Sequence, residues 1–126
     1  MARTAIGSIA GSNVNIESTL TNVTQNVGAL PVDQTTKEEL RKLVAELFEQ
    51  LKAVPADKRE LAEAVAAQTT DVIAKARQDE PNKTLLQIAI EGLKTAAHTL
   101  REIAPSVVSL SASIISIIAK LHGLPA

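Results

Sequence analysis

Residues 40–54, LRKLVAELFEQLKAV, place apolar side chains at the spacing of an amphipathic helix. The apolar positions recur every three or four residues and are Leu40, Leu43, Val44, Leu47, Phe48, Leu51 and Val54. This spacing predicts one apolar stripe about 100° wide, with charged side chains on the opposite face. Pro55 ends the pattern, because proline lacks the N–H that a helix interior needs. The stretch therefore predicts a helix that buries one face, and it indicates a mainly α fold.

The same reasoning predicts a single domain, residues 32–126, built as a bundle of about four helices. We expect these helices at about 36–54, 57–78, 83–103 and 106–122. Thr35 followed by Glu38 matches a capping box at the start of the first, and Thr36 with Glu39 offers a second register. In the third, Gly92 costs about 1 kcal/mol relative to alanine, which favours the close approach of a neighbouring helix there. The buried side of that third helix is predicted to be Leu85, Leu86, Ile88, Ala89, Leu93, Ala96, Ala97, Leu100 and Ile103.

Residues 1–31 differ from the rest, because Arg3 and Glu17 are the only charged side chains before Asp33. The segment is rich in threonine, valine, isoleucine and asparagine, and from Ile6 to Leu20 its apolar residues mostly alternate with polar ones. Such alternation predicts an extended strand with one wet face. A strand alone leaves its backbone groups unpaired, so this arm requires a partner. The residues expected to pair between copies are Ile6, Ile9, Val14, Ile16, Leu20, Val23 and Val27.

The last predicted helix contains an uncharged run from Ile103 to Ala119. Its apolar positions cover most of its circumference, and those expected to form an interface are Val107, Leu110, Ile114, Ile117, Ile118 and Leu121. A helix of this kind must be buried by something. Three interpretations remain open: a central core helix, an interface between copies, or a segment that inserts into a membrane. A membrane span typically needs about 20 apolar residues, which disfavours the third.

Composition excludes some classes of function and disfavours others. The chain has no cysteine, so disulfides and thiolate metal sites are excluded, and a cytoplasmic location is expected. No apolar run of signal-peptide type follows Met1. The net charge is −1 and Phe48 is the only aromatic residue, so neither a basic footprint nor a stacking platform for nucleic acid is expected.

The sequence offers no constellation typical of catalysis. The two histidines, His98 and His122, stand 24 positions apart, which matches no short metal-ligand spacing. The carboxylates are mixed with lysine and arginine on predicted helix faces, as is usual for solvated surfaces. We therefore expect no catalytic, cofactor-binding or metal-binding residues, no cofactor, and no enzymatic activity.

Two stretches resemble a known kind of bacterial domain. They are residues 12–28, SNVNIESTLTNVTQNVG, and residues 81–110, PNKTLLQIAIEGLKTAAHTLREIAPSVVSL. Both are similar to the small helical accessory domains, of the effector-associated type, that accompany bacterial defence and signalling NTPases. The resemblance implies a non-catalytic module that recruits or clusters other components, and it transfers no functional residues.

Together these features favour a non-catalytic scaffold that assembles with copies of itself, as a closed oligomer or a filament. The first alternative is a monomeric adaptor or regulator that docks on another bacterial protein. The second is a membrane-active protein whose C-terminal helix inserts into a bilayer.

Overall fold

The computed structural model describes residues 16–78 and 80–124, and over these residues the chain is mainly helical. It forms five α-helices and no β-strand there. The helices are α1 at residues 16–28, α2 at Gln34–Lys52, α3 at Arg59–Ala76, α4 at Lys83–His98 and α5 at Pro105–Leu121. A short 3₁₀ turn, Ala56–Lys58, leads into α3. The prediction of a mainly α fold is confirmed.

The predicted strand is wrong for residues 16–28, which form helix α1. Ile16, Leu20, Val23 and Val27 are separated by four, three and four positions, which is helical spacing. Ile16, Val23 and Val27 are buried and Leu20 is partly buried. Burial of this stripe outweighs the strand preference of its β-branched residues, since that preference depends strongly on context. The rest of the predicted strand, residues 1–15, lies outside the described residues.

The bounds of α2, α3 and α5 agree with the sequence prediction to within two residues, but the predicted capping box does not form. Instead, Asp33 caps α2: its Oδ1 accepts a hydrogen bond from the Thr36 backbone N–H at 3.2 Å. Asn82 caps α4 in the same way, accepting from the Leu85 backbone N–H at 3.1 Å. A short polar side chain at this position pairs one of the backbone donors that the first turn leaves unpaired.

Helix α4 ends at His98, five residues earlier than predicted. Beyond it the backbone tightens, since Leu100 N–H donates to Ala97 at 3.0 Å and Arg101 N–H to His98 at 3.2 Å. Pro105 prevents a helix from continuing through residue 104, because a proline disfavours helical geometry in the residue before it. That residue, Ala104, has φ −141° and ψ 74°.

The helices pack in a closed circuit. Helix α2 contacts α3 and α5, α3 contacts α4, and α4 contacts α5. Two polar contacts fix α1 beside them: Lys52 Nζ lies 2.5 Å from Glu17 Oε1, and Arg77 Nη1 donates to Asn26 Oδ1 at 2.9 Å. Because Lys52 ends α2 and Arg77 follows α3, α1 runs from the C-terminal end of α2 to that of α3.

The core confirms the helical pattern of residues 40–54. Six of the seven predicted positions are buried, and Leu43 is partly buried against them. Phe48, the only aromatic side chain, is fully buried. The predicted stripe of α2 therefore forms one wall of the core.

Helix α5 contributes to the same core. Val107, Ile114 and Ile118 are buried, and Leu110 and Ile117 are partly buried against them. The interpretation of α5 as a core helix accounts for this burial. Over residues 16–78 and 80–124, no helix has both the length and the hydropathy that crossing a bilayer requires.

Candidate functional surfaces

Helix α4 exposes two large apolar side chains that were predicted to be buried. Leu85 is 48% exposed and Ile88 is 62% exposed. The prediction was wrong because the buried face of α4 is narrower than the apolar stripe, being centred on Leu86, Ile90 and Leu93. Leu85 and Ile88 lie one turn apart outside that face, with Ile88 nearly opposite its centre, and we call them the α4 outer surface. Ile103, also predicted to be buried, is 41% exposed in the turn after α4.

Uncharged residues extend the α4 outer surface along the helix. Thr84 and Thr95 are exposed beside Leu85 and Ile88, and Glu91 and Lys94 lie next to them as an ion pair at 3.5 Å. Single exposed apolar side chains are ordinary on protein surfaces, but neighbouring ones on one helix face are candidates for a contact site.

A second surface is a groove between α4 and α5 with a volume of about 460 Å³. Its apolar lining includes Ala97, Val108, Ala112 and Ile115, and its buried part includes Ser111. The groove exists because alanine and serine leave space where two helices meet. Among the described residues the Ser111 hydroxyl has no hydrogen-bond partner, which is uncommon for a buried polar group.

The groove continues toward a shallower depression of about 390 Å³ around the C-terminal end of α4. Lys94 and His98 line both, and Arg101, Thr95 and Thr99 complete the depression. Arg101 Nη1 donates to the His98 carbonyl at 3.1 Å. Among the residues that the structure describes, no carboxylate lines this depression, although Glu91 lies beside it in an ion pair with Lys94.

The two histidines are at opposite ends of the α4–α5 pair. His98 ends α4, whereas His122 follows α5 and its Nε2 lies 2.7 Å from the Ala76 carbonyl at the end of α3. A carbonyl only accepts, so Nε2 carries the proton in this contact. His122 therefore joins the C-terminal ends of α3 and α5.

Titratable groups in the described part of the chain do not assemble into a site. No group of three histidine or carboxylate side chains is placed to hold a metal ion there. Two groups have shifted pKa values, and both have a structural cause. Hydrogen bonds from Thr36 hold the pKa of Asp33 below its usual value, and hydrogen bonds to Glu17 and then Glu49 raise the pKa of Lys52.

The structure separates the residues that were predicted to pair between copies. Ile16, Val23 and Val27 are in the core, and Leu20 is partly buried. Ile6, Ile9 and Val14 lie outside the described residues. Of the α5 residues predicted as an interface, Val107, Ile114 and Ile118 are buried within the chain, whereas Leu110, Ile117 and Leu121 are partly buried.

Sequence reasoning missed both the α4 outer surface and the α4–α5 groove. The exposure of Leu85 and Ile88 depends on how much of α4 its neighbours cover, which the sequence of α4 alone does not contain. Ala112 and Ser116 are small residues four positions apart on α5, and that spacing is the sequence signal that could have indicated the groove. Comparison with protein-family models, with curated proteins and with solved structures found no match.

Proposed function

We propose that this protein is a non-catalytic interaction module that assembles with copies of itself, and that the α4 outer surface is one of its contacts. The observation that carries this proposal is the exposure of Leu85 and Ile88 on one helix, one turn apart and beside uncharged threonines. Burying such side chains removes apolar surface from water, which drives association.

The charge of the chain supports contact between identical copies. With a net charge of −1, two copies do not repel each other strongly at neutral pH. A symmetric dimer also uses the same patch on both subunits, so one small apolar surface provides both sides of the contact.

Residues 1–15 are a second proposed element of assembly. Their sequence holds the alternating part of the predicted strand, including Ile6, Ile9 and Val14. Residues 16–28 no longer belong to this element, because they contribute Ile16, Val23 and Val27 to the core.

Absolute mass by light scattering tests the proposal with four proteins: the full chain, residues 16–126, and the variants Ile88→Lys and Ala45→Lys. The truncation begins at residue 16 because a cut at residue 31 would remove α1 and its core side chains. Ala45 is exposed on α2, so Ala45→Lys adds the same charge elsewhere.

We expect the full chain and Ala45→Lys to exceed the monomer mass of 13.3 kDa. Ile88→Lys should reduce the mass, because it places a charge in the contact. If the protein of residues 16–126 also has a lower mass than the full chain, residues 1–15 are assigned as the second element of assembly. A monomeric full chain would refute self-assembly and leave the α4 outer surface to a different protein, as in the adaptor alternative.

A further inference from the structure

We propose that the groove between α4 and α5 binds the chain of a single-chain anionic amphiphile, with its carboxylate held at the cationic depression that follows. The inference does not rest on self-assembly, although Lys94 and Thr95 border both the depression and the α4 outer surface. It rests on an apolar groove, a basic lining at one end, and a buried hydroxyl without a partner.

The groove has the size and chemistry of a small-molecule site. Its volume of about 460 Å³ lies at the low end of the range of roughly 300–1,000 Å³ found for ligand pockets. Val108, Ala112 and Ile115 present mostly aliphatic carbon to it. A single alkyl chain fits this small volume better than a two-chain lipid does, and an unbranched chain packs well between small residues.

The basic end of the groove indicates the charge of the headgroup. Lys94 and His98 line both the groove and the depression, and Arg101 lines the depression. Glu91 offsets part of this charge through its ion pair with Lys94, and Glu102 is exposed next to Arg101 in sequence. Two permanent cations and an imidazole still lie beside the groove, and the adjoining Thr95 hydroxyl can donate to an anion. The Thr99 hydroxyl is already used, since it donates to the Ala96 carbonyl at 2.6 Å.

Ser111 provides a second and separate indication of a ligand. The residue is 1% exposed, lines the groove, and its hydroxyl has no partner in the described structure. Buried hydroxyls are usually paired. The Ser111 Oγ is itself buried, so a ligand carboxylate beside Lys94 and His98 would reach it after a rotation of the Ser111 side chain. Lys94 and His98 belong to the same lining, which places the basic groups and the hydroxyl on one site.

Methyl NMR with three ligands tests the site: decanoate below its micelle concentration, decanol, and propionate. We expect decanoate to shift the methyl signals of Val108, Ala112 and Ile115 saturably. Decanol should bind about fivefold more weakly, since it lacks the charge that Lys94 and Arg101 stabilise. Propionate should cause no saturable shift, because it lacks the chain.

Matched variants separate the groove from the rest of the surface. Ala112→Phe fills the groove and should abolish decanoate binding, whereas Ala67→Phe, at another exposed alanine, should not. Lys94→Gln should weaken the binding of decanoate but not that of decanol, and Lys42→Gln should change the binding of neither. Ser111→Ala should weaken decanoate while the protein stays folded.

Several results would overturn the proposal. These are the absence of a saturable shift with decanoate, equal binding by Ala112→Phe and Ala67→Phe, or equal affinity for decanoate and decanol. Sedimentation with phosphatidylglycerol vesicles is the remaining experiment. If the protein binds the vesicles but not free decanoate, the proposal is wrong and the basic residues contact a membrane surface instead.

Discussion

The side chain of Gln68 on α3 lies directly over Gly92 on α4. A Cβ atom placed at Gly92 would be 2.5 Å from Gln68 Oε1 and 3.1 Å from its Cδ. The glycine therefore leaves room for the amide of a neighbouring helix, as the sequence indicated for this position. The conflict involves the far end of a flexible side chain, so it can be relieved by a rotation of Gln68.

This relationship predicts a context-dependent effect of Gly92→Ala. The substitution should gain about 1 kcal/mol of helix propensity but displace Gln68, so that the net change in the free energy of unfolding is within about 0.5 kcal/mol. In a Gln68→Ala background the conflict is absent, and Gly92→Ala should stabilise by about 1 kcal/mol. Urea unfolding of the four proteins measures this. Destabilisation in both backgrounds would show that backbone, rather than Gln68, occupies the space.

The cap at Asp33 predicts a specific pH dependence. Hydrogen bonds from Thr36 lower the pKa of Asp33 below 3.8, so the ionised cap is stabilising above that value and loses its effect as the pH falls through the folded-state pKa. Asp33→Ala should therefore be less stable than the native chain at pH 7, and the difference should shrink as the pH falls below 3.8.

Asp33→Asn is the control, because asparagine caps a helix without titrating. Asp33→Asn should therefore remain more stable than Asp33→Ala at low pH. Thermal melting followed by circular dichroism between pH 7 and pH 2.5 makes the comparison. A constant difference between the native chain and Asp33→Ala over this range would contradict the assignment of the cap.

Residues 16–28 have a strand-like sequence but form helix α1, so we expect substitutions of their buried side chains to lower the stability of the monomer. Val23→Ala removes buried methyl groups and should lower the free energy of unfolding by about 2 kcal/mol. Asn22→Ala, at the exposed neighbouring position, should change it by less than about 0.5 kcal/mol. If residues 16–28 instead paired between copies, Val23→Ala would change the mass of the assembly and leave the stability of the monomer unaffected.

Residues 40–54 were predictable because seven apolar positions, mixed with charged ones, fit a helix and no other period. Residues 16–28 were not, since Ile16 and Leu20 fit both the period of a strand and that of a helix. Val23 and Val27 break the alternation and complete a helical stripe, so they were the signal that favoured α1. The threonine and asparagine residues within this segment lower its helix propensity. Only packing against α2 and α3 decides between a strand and a helix for residues 16–28.

The candidate surfaces depend on contacts that no single segment encodes. Leu85 and Ile88 are apolar residues of α4, yet the helices around it cover only the face centred on Leu86 and Leu93. The groove likewise requires Ala97 of α4 to face Ala112 of α5. Sequence alone gives the residue types at these positions, and the packing of the helices decides which of them remain open.

The central claim is that copies of this chain meet through the α4 outer surface, and its most direct test is mass as a function of concentration. We expect the native chain to rise above 13.3 kDa with increasing concentration, and Ile88→Lys to remain closer to that value at every concentration. A native chain that stays at 13.3 kDa throughout, or an Ile88→Lys variant that assembles as well as the native chain, would contradict the claim.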